Sequence, residues 1–236
     1  MKSRRHLFSA VVVVLSMGTG TATKALTTAN TDGPMSNEVG AHTIDFGTSA
    51  VDNDSFIAGV ALPSGNVGGV NYSYSGGALF NYDSNTTTFP GGISARPVGS
   101  VDNYWSIGIR PAAQQGPGIV SFDNGVSYYG FLWGSPDTYN KVGFYNGSTL
   151  LGSFDGSAVL PSPNGNQAFA KYFNVYADAG ESITRVEFYS GSNAFETDNH
   201  AFIAAPVPEP EIYAMMAVGM GVMGWAARRK KRTLRL

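Results

Sequence analysis

Residues 26–205 predict an all-β fold, a single antiparallel β-sandwich of jelly-roll-like form. Three observations carry this. No helical period runs through the segment, its apolar residues fall in short runs rich in Val, Ile, Phe, Tyr and Trp, and Gly, Asn, Asp, Ser and Pro separate those runs. Short strands at regular spacing, broken by turn residues, are the pattern of a sandwich or barrel. Taken in order, the predicted strands are His42–Phe46, Ser55–Val60, Gly69–Tyr74, Tyr104–Arg110, Gly118–Phe122, Tyr128–Trp133, Lys141–Tyr145, Ser148–Phe154, Ala168–Tyr176, Ile183–Tyr189 and His200–Ala204. Leu26 to Gly40 is polar and reads as a flexible lead-in. Residues 81–100, with Asn85-Thr86-Thr87-Thr88 and Pro90-Gly91-Gly92, read as a long loop.

One string recurs. Val142-Gly-Phe144-Tyr145-Asn146-Gly147-Ser148 returns as Val186-Glu-Phe188-Tyr189-Ser190-Gly191-Ser192. Alternating apolar residues before an Asn-Gly or Ser-Gly pair are the chemistry of a tight hairpin. Two such hairpins would suit a pair of facing sheets.

Both ends of the chain read as signals. Lys2, Arg4 and Arg5 precede the apolar run Leu7–Met17, and small residues follow as far as Ala25. This three-part pattern is that of a secretory signal peptide over residues 1–25, with cleavage after Ala22 or Ala25. The domain proper then occupies residues 41–205, behind the lead-in of 26–40. Residues 206–236 form a separate tail. In it Val207-Pro208-Glu209-Pro210-Glu211 runs into an uncharged stretch, Ile212 to Ala227, and then into the basic run Arg228-Arg229-Lys230-Lys231-Arg232, within a cluster that extends to residue 235. Sixteen helical residues at ~1.5 Å each span roughly 24 Å, slightly less than a ~30 Å hydrocarbon core. Basic side chains that reach back to the headgroups make such a marginal transmembrane helix workable. Their charge places that end in the cytoplasm and the domain outside.

Removing the two ends changes the charge balance. The whole chain sums to −2, but residues 26–207 hold fifteen Asp and Glu against five Lys and Arg, a net of −10. A surface of that sign repels phosphate backbones and argues against nucleic acid as a partner. The chain has no cysteine, which excludes disulfides, thiolate catalysis and Cys-ligated zinc.

The tail resembles the sorting signal of PEP-CTERM proteins. The resemblance rests on Val207, Pro208, Glu209 and Pro210, the helix Ile212–Ala227 and the stop-transfer residues Arg228, Arg229, Lys230, Lys231 and Arg232, with the signal peptide as companion. It implies export through the secretion translocon, signal peptidase cleavage, transient membrane insertion and removal of the tail by an exosortase. It further implies a Gram-negative bacterium, a precursor tethered to the inner membrane and a mature form at the cell surface or in a polysaccharide matrix. Inside the domain, Tyr129-Gly130-Phe131-Leu132-Trp133-Gly134-Ser135-Pro136-Asp137-Thr138-Tyr139-Asn140 is similar to the central signature of one group of exosortase-dependent proteins. Phe195 to Phe202 is similar to the last strand of such ectodomains. Neither string implies an activity.

Chemistry inside the domain is sparsely marked. His200 with Asp198 invites comparison with a catalytic triad, but no Gly-x-Ser-x-Gly elbow supplies a nucleophile. A structural Ca²⁺ tolerates irregular oxygen ligands, and Asp45, Asp198 and Asn199 are placed to meet if the first and last predicted strands pair. Asp52-Asn53-Asp54 is a second oxygen-rich group. An acidic, aromatic-rich domain in a polysaccharide coat also suits carbohydrate binding, with Tyr129, Trp133 and Tyr139 stacking on sugar rings and Asp137 and Asn140 bonding hydroxyls. The expectation is therefore a non-enzymatic surface or matrix protein that is structural or binds exopolysaccharide. The alternative is a secreted carbohydrate-active hydrolase displayed by the same tail, which requires two facing carboxylates.

Overall fold

The computed structural model describes residues 26–44, 46–47, 61–81, 94–108, 116–206, 215–223 and 225. Twelve strands make up the described domain: β1 Leu26–Thr31, β2 His42–Thr43, β3 Ser64–Val67, β4 Val70–Ser75, β5 Ala78–Phe80, β6 Tyr104–Ile107, β7 Gly118–Gly134, β8 Asn140–Asn146, β9 Thr149–Asp155, β10 Ala170–Ala177, β11 Ile183–Ser190 and β12 Phe195–Ala204. Every pairing is antiparallel. The fold is all-β, as the strand pattern predicts.

The sheet is organised by β7. At 17 residues it is far longer than the usual strand of five or six, and its two halves have different neighbours. The first half pairs with β4 and β11, through Val120 opposite Tyr74 and Val186. The second half pairs with β10 and β12, through Phe131 opposite Phe173 and Leu132 opposite Asp198. Two arms result, β3-β4-β7-β11-β8-β9 and β1-β10-β7-β12-β6-β5, with β2 beside the far end of β12. The separate sheets of a jelly-roll sandwich are therefore not formed. All twelve strands are hydrogen-bonded into one sheet, because β7 belongs to both arms.

The core alternation explains how β7 turns. As far as Val126 the even positions, Val120, Phe122 and Val126, enter the core; beyond it the odd positions, Tyr129, Phe131 and Trp133, do so. A strand has a strict two-residue period, so this change of parity needs an irregularity. It lies at Ser127, skipped where Val126 faces Ala204 and Tyr128 faces Ile203; a second irregularity, against β11, lies at Asp123-Asn124-Gly125, where Gly125 takes φ +69°. The same irregularity makes Gly118–Phe122 and Tyr128–Trp133 read as two strands in the sequence. Val142, Phe144, Val186 and Phe188 from one arm then share a single apolar cluster with Phe173, Val175, Phe195 and Phe202 from the other.

The lead-in is corrected at its start. Leu26–Thr31 is a strand paired along its whole length with β10, from Leu26 opposite Ala177 to Thr31 opposite Tyr172. Its polar side chains stay exposed because it is an edge strand whose main-chain bonds, not its burial, hold it. Residues 32–40 follow as an anchored segment, with Ser36 Oγ bonded to the Tyr128 hydroxyl at 2.8 Å and Glu38 Oε1 accepting from Tyr176 at 2.6 Å. The recurring strings are neighbours rather than facing hairpins, since β8 and β11 pair directly, Phe144 opposite Val186 and Val142 opposite Phe188. Only the first closes a hairpin, with β9. After the second, the chain crosses to the other arm as β12.

Ser55–Val60, the signal peptide over 1–25 and the basic cluster lie outside the described residues, as does most of the loop 81–100. Of the helix expected over 212–227, residues 215–223 are described and are α-helical. No helix among the described residues is long and apolar enough to cross a membrane. This short helix nevertheless leaves Met215, Met216, Val218, Met220, Val222 and Met223 all uncovered.

The bend in β7 makes one position sharply intolerant. A Cβ at residue 125 would lie 2.8 Å from the Ser182 hydroxyl, and a left-handed backbone costs any L-residue roughly 1–2 kcal/mol. Gly125→Ala is expected to lower the unfolding free energy by at least about 1–2 kcal/mol in urea titration, with no loss of strand content by circular dichroism. An unchanged midpoint would remove the bend from its structural role.

Candidate functional site

Just past the C-terminal end of β7 the two arms leave a polar cavity of about 240 Å³. Four segments line it: Ser94; Ser135, Asp137 and Tyr139 from the loop between β7 and β8; Asn164, Gly165 and Gln167 from the loop before β10; and Asn193, Ala194 and Glu196 at the start of β12. The sheet brings these segments together, since Gly134 pairs with Ala170 on one side and with Glu196 on the other.

The loops are tightly fixed. Ser135 N–H donates to the Phe169 carbonyl at 2.9 Å, and Gly165 N–H donates to the Pro136 carbonyl at 3.0 Å. Gly165 takes φ +67°, and a Cβ there would sit 2.8 Å from Asp137 Oδ2, so the backbone approaches this carboxylate only because residue 165 has no side chain. Asn140 Oδ1 accepts from Asp137 N–H at 2.9 Å, while its amide donates to Ser190 Oγ and the Ala194 carbonyl, both at 3.0 Å.

Glu196 forms the floor. It is 3% exposed, with Oε1 accepting from Ala95 N–H at 3.0 Å and Oε2 accepting from Ser135 Oγ at 2.6 Å. Burial raises its pKa to about 7, and the Asp137 carboxylate pushes in the same direction, against these two hydrogen bonds. Tyr139 donates its hydroxyl proton to the Asn193 carbonyl at 2.8 Å. Burial, and then the neighbouring Asp137, shift this phenol well above its ordinary range.

The sugar-binding residues expected from sequence divide accordingly. Asp137 and Tyr139 do line the cavity, half-buried. Tyr129 and Trp133 do not reach the surface: both are fully buried, Trp133 stacked on Phe195 with centroids 4.6 Å apart. In a strand two residues from Phe131, they belong to the face that builds the core. Asn140 is fully buried, and its amide holds the loop together rather than facing a ligand. Glu196, Asn164, Gln167 and Asn193 were not legible as site residues, since no local pattern marks them.

His200 is not a catalytic group in this arrangement. It is fully buried among the rings of Phe46, Tyr74, Trp105, Tyr129, Phe131 and Phe188. The Tyr129 and Tyr74 hydroxyls converge on its Nδ1 at 2.6 and 3.0 Å, and burial lowers its pKa to about 3. For the expected Ca²⁺ site, the early chain does run beside the last strand, with Thr43 opposite Ala201 and Ile44 N–H donating to the His200 carbonyl at 2.7 Å. Asp45, like Asp52-Asn53-Asp54, lies outside the described residues. Asp198 is buried with Oδ1 accepting from Asn199 N–H at 2.7 Å, and the Asn199 amide donates to the Pro34 carbonyl at 3.0 Å. No group of three or more His, Asp or Glu among the described residues can hold a metal ion.

Glu196 and His200 give the domain a characteristic pH dependence. Between 4.5 and about 7 the folded chain keeps a proton on Glu196 that the unfolded chain has lost, so stability falls as pH rises through that window. His200 acts in the opposite sense. Below 6.5 the unfolded chain binds a proton that the folded chain refuses down to about 3, so stability falls as pH drops through that window. Where the windows overlap the slopes cancel. Glu196→Gln is expected to unmask a rise of about 1.4 kcal/mol per pH unit between pH 4.5 and 6.5, measured by urea denaturation across pH. A flat profile in this variant would contradict the neutral burial of His200.

A family model described as the PEP-CTERM protein-sorting motif matches residues 206–231. No curated protein and no solved structure matches the chain.

Proposed function

We infer that this chain, a PEP-CTERM sorting-motif protein, is exported and handled by an exosortase, and that its β domain serves outside the membrane as a non-enzymatic, carbohydrate-binding component of a polysaccharide-rich envelope or matrix. The sorting motif over 206–231 carries the first part. The described helix at 215–223 supports it, because a row of large uncovered apolar side chains suits a lipid environment better than water. The signal peptide at 1–25 delivers the precursor to the translocon and signal peptidase. The tail then inserts with Arg228–Arg232 inside, tethering the precursor to the inner membrane of a Gram-negative cell, and exosortase cleavage frees the domain to the surface or the matrix.

For the domain itself, the supporting observation is the cavity at the end of β7. It combines carboxylates, carboxamides and one aromatic ring, the groups that bond sugar hydroxyls and cover a ring face. The hydrolase reading draws on the same two carboxyl groups, Asp137 and Glu196. A binding role accounts for them better, because Ala95 N–H and Ser135 Oγ already engage both oxygens of Glu196, which leaves it poorly placed to pass a proton to a leaving group.

Mass spectrometry of the mature protein from its native host is expected to find no peptide from residues 212–236, and replacing Pro208, Glu209 and Pro210 by Ala is expected to leave the unprocessed precursor. Intact tail peptides on the mature surface form would defeat the processing step. On a glycan array, the full chain in detergent is expected to bind, and Asp137→Asn to weaken binding about tenfold or more.

A further inference from the structure

The cavity is selective in its chemistry. Asp137 and Glu196 line it, and no Lys, Arg or His among the described residues does. Its hydroxyl donors are already used: Tyr139 donates to the Asn193 carbonyl and Ser135 to Glu196. Acceptors remain. Both carboxylates keep unused lone pairs.

We propose that the cavity binds an amino sugar, with the protonated amine held between Asp137 and Glu196 and the ring lying toward Tyr139. The inference rests on the carbohydrate-binding reading and narrows it. An ammonium is a compact source of three donors and a positive charge, which is what an acceptor-rich, doubly carboxylic cavity lacks. Ca²⁺ fits less well, since it takes six to eight oxygens and two carboxyl groups fall short of that. Sugars carrying carboxylate, sulfate or phosphate meet like charge here. The cavity, at about 240 Å³, is below the ~300–1,000 Å³ of drug-sized ligand sites, so it accommodates one ring, such as the end of a chain, rather than several. Asn164 and Gln167 at the rim offer carboxamides to its hydroxyls.

Calorimetric titration of the full chain in detergent with glucosamine, N-acetylglucosamine, glucose and cyclohexylamine tests this. Glucosamine is expected to bind about tenfold or more tightly than the other three, because acetylation removes the charge, glucose lacks the amine and cyclohexylamine lacks the hydroxyls. Asp137→Asn and Glu196→Gln are each expected to reduce that affinity about tenfold or more, with the fold confirmed by circular dichroism. Asp137 is half-exposed, so its variant remains informative if the Glu196 variant folds poorly. N-acetylglucosamine or glucose binding as tightly as glucosamine would overturn the amine assignment and leave sugar binding standing. Cyclohexylamine binding as tightly would overturn recognition of the sugar. Absence of binding by all four would overturn the inference, while the glycan array judges the broader reading on its own.

Discussion

The domain depends on the continuity of β7 through its change of parity at Ser127, between Val126 and Tyr129. Backbone bonding is unbroken enough there for one strand to serve two arms, yet the residues that enter the core switch from even to odd positions. A simple break would leave two sheets with four raw edges to protect. A strand without the irregularity would turn Tyr129, Phe131 and Trp133 away from the core, since a one-residue slip moves every side chain to the other face. The shift resolves both problems, and it also decides where the cavity lies. β7 ends at Gly134 between β10 and β12, so the loops leaving all three strands meet at that point.

Between the arms, aromatic packing replaces what a disulfide supplies in many exported domains. His200 lies at its centre, neutral, ringed by six aromatic side chains. A polar ring in that position needs partners, and Tyr129 from β7 and Tyr74 from β4 provide their hydroxyls. These two tyrosines and β12, which carries His200, come from both arms, so the hydrogen bonds tie the arms together at one point in an otherwise non-directional core. The burial that holds the histidine neutral also raises the pKa of both phenols well above their ordinary range. The group is thus fixed in its uncharged form.

Much of this was legible in the sequence, and the exceptions have physical reasons. β8, β9 and β11 are rich in apolar residues and are followed by turn residues, so their predicted limits fall within a residue or two of those observed. β1 was missed because Leu26-Thr-Thr-Ala-Asn-Thr has one large apolar residue; an edge strand held by main-chain bonds needs no more. β7 was divided because Asp-Asn-Gly is also the chemistry of a turn. In the site, Asp137 and Tyr139 were found because Gly134, Ser135 and Pro136 mark a loop. Trp133, one residue before that loop, is core because strand parity, not proximity, decides its direction. Glu196 was hidden by distance along the chain. Its burial comes from Ala95 and Ser135, 101 and 61 residues away in sequence, and no local pattern encodes such a neighbour.

The identity of residue 196 bears on why the cavity exists. If its role were only to hold loops, a glutamine would serve, since its carbonyl can accept from Ala95 N–H while its amide donates to Ser135 Oγ. The glutamate does the same job at a cost. Moving its pKa from 4.5 to about 7 corresponds to roughly 3 kcal/mol of stability forgone above that pH, a large fraction of the ~5–15 kcal/mol that holds a typical domain together. Folds carry such a cost mainly where a site uses the group that causes it. The Asp137 carboxylate beside it adds to the cost, and Gly165, the residue type that lets the loop approach that carboxylate, preserves the arrangement. A cation brought into the cavity would reverse the electrostatics, stabilising the charged form of Glu196 that burial disfavours. A glutamate that costs stability beside a second carboxylate is thus the physical basis on which the amino-sugar proposal rests.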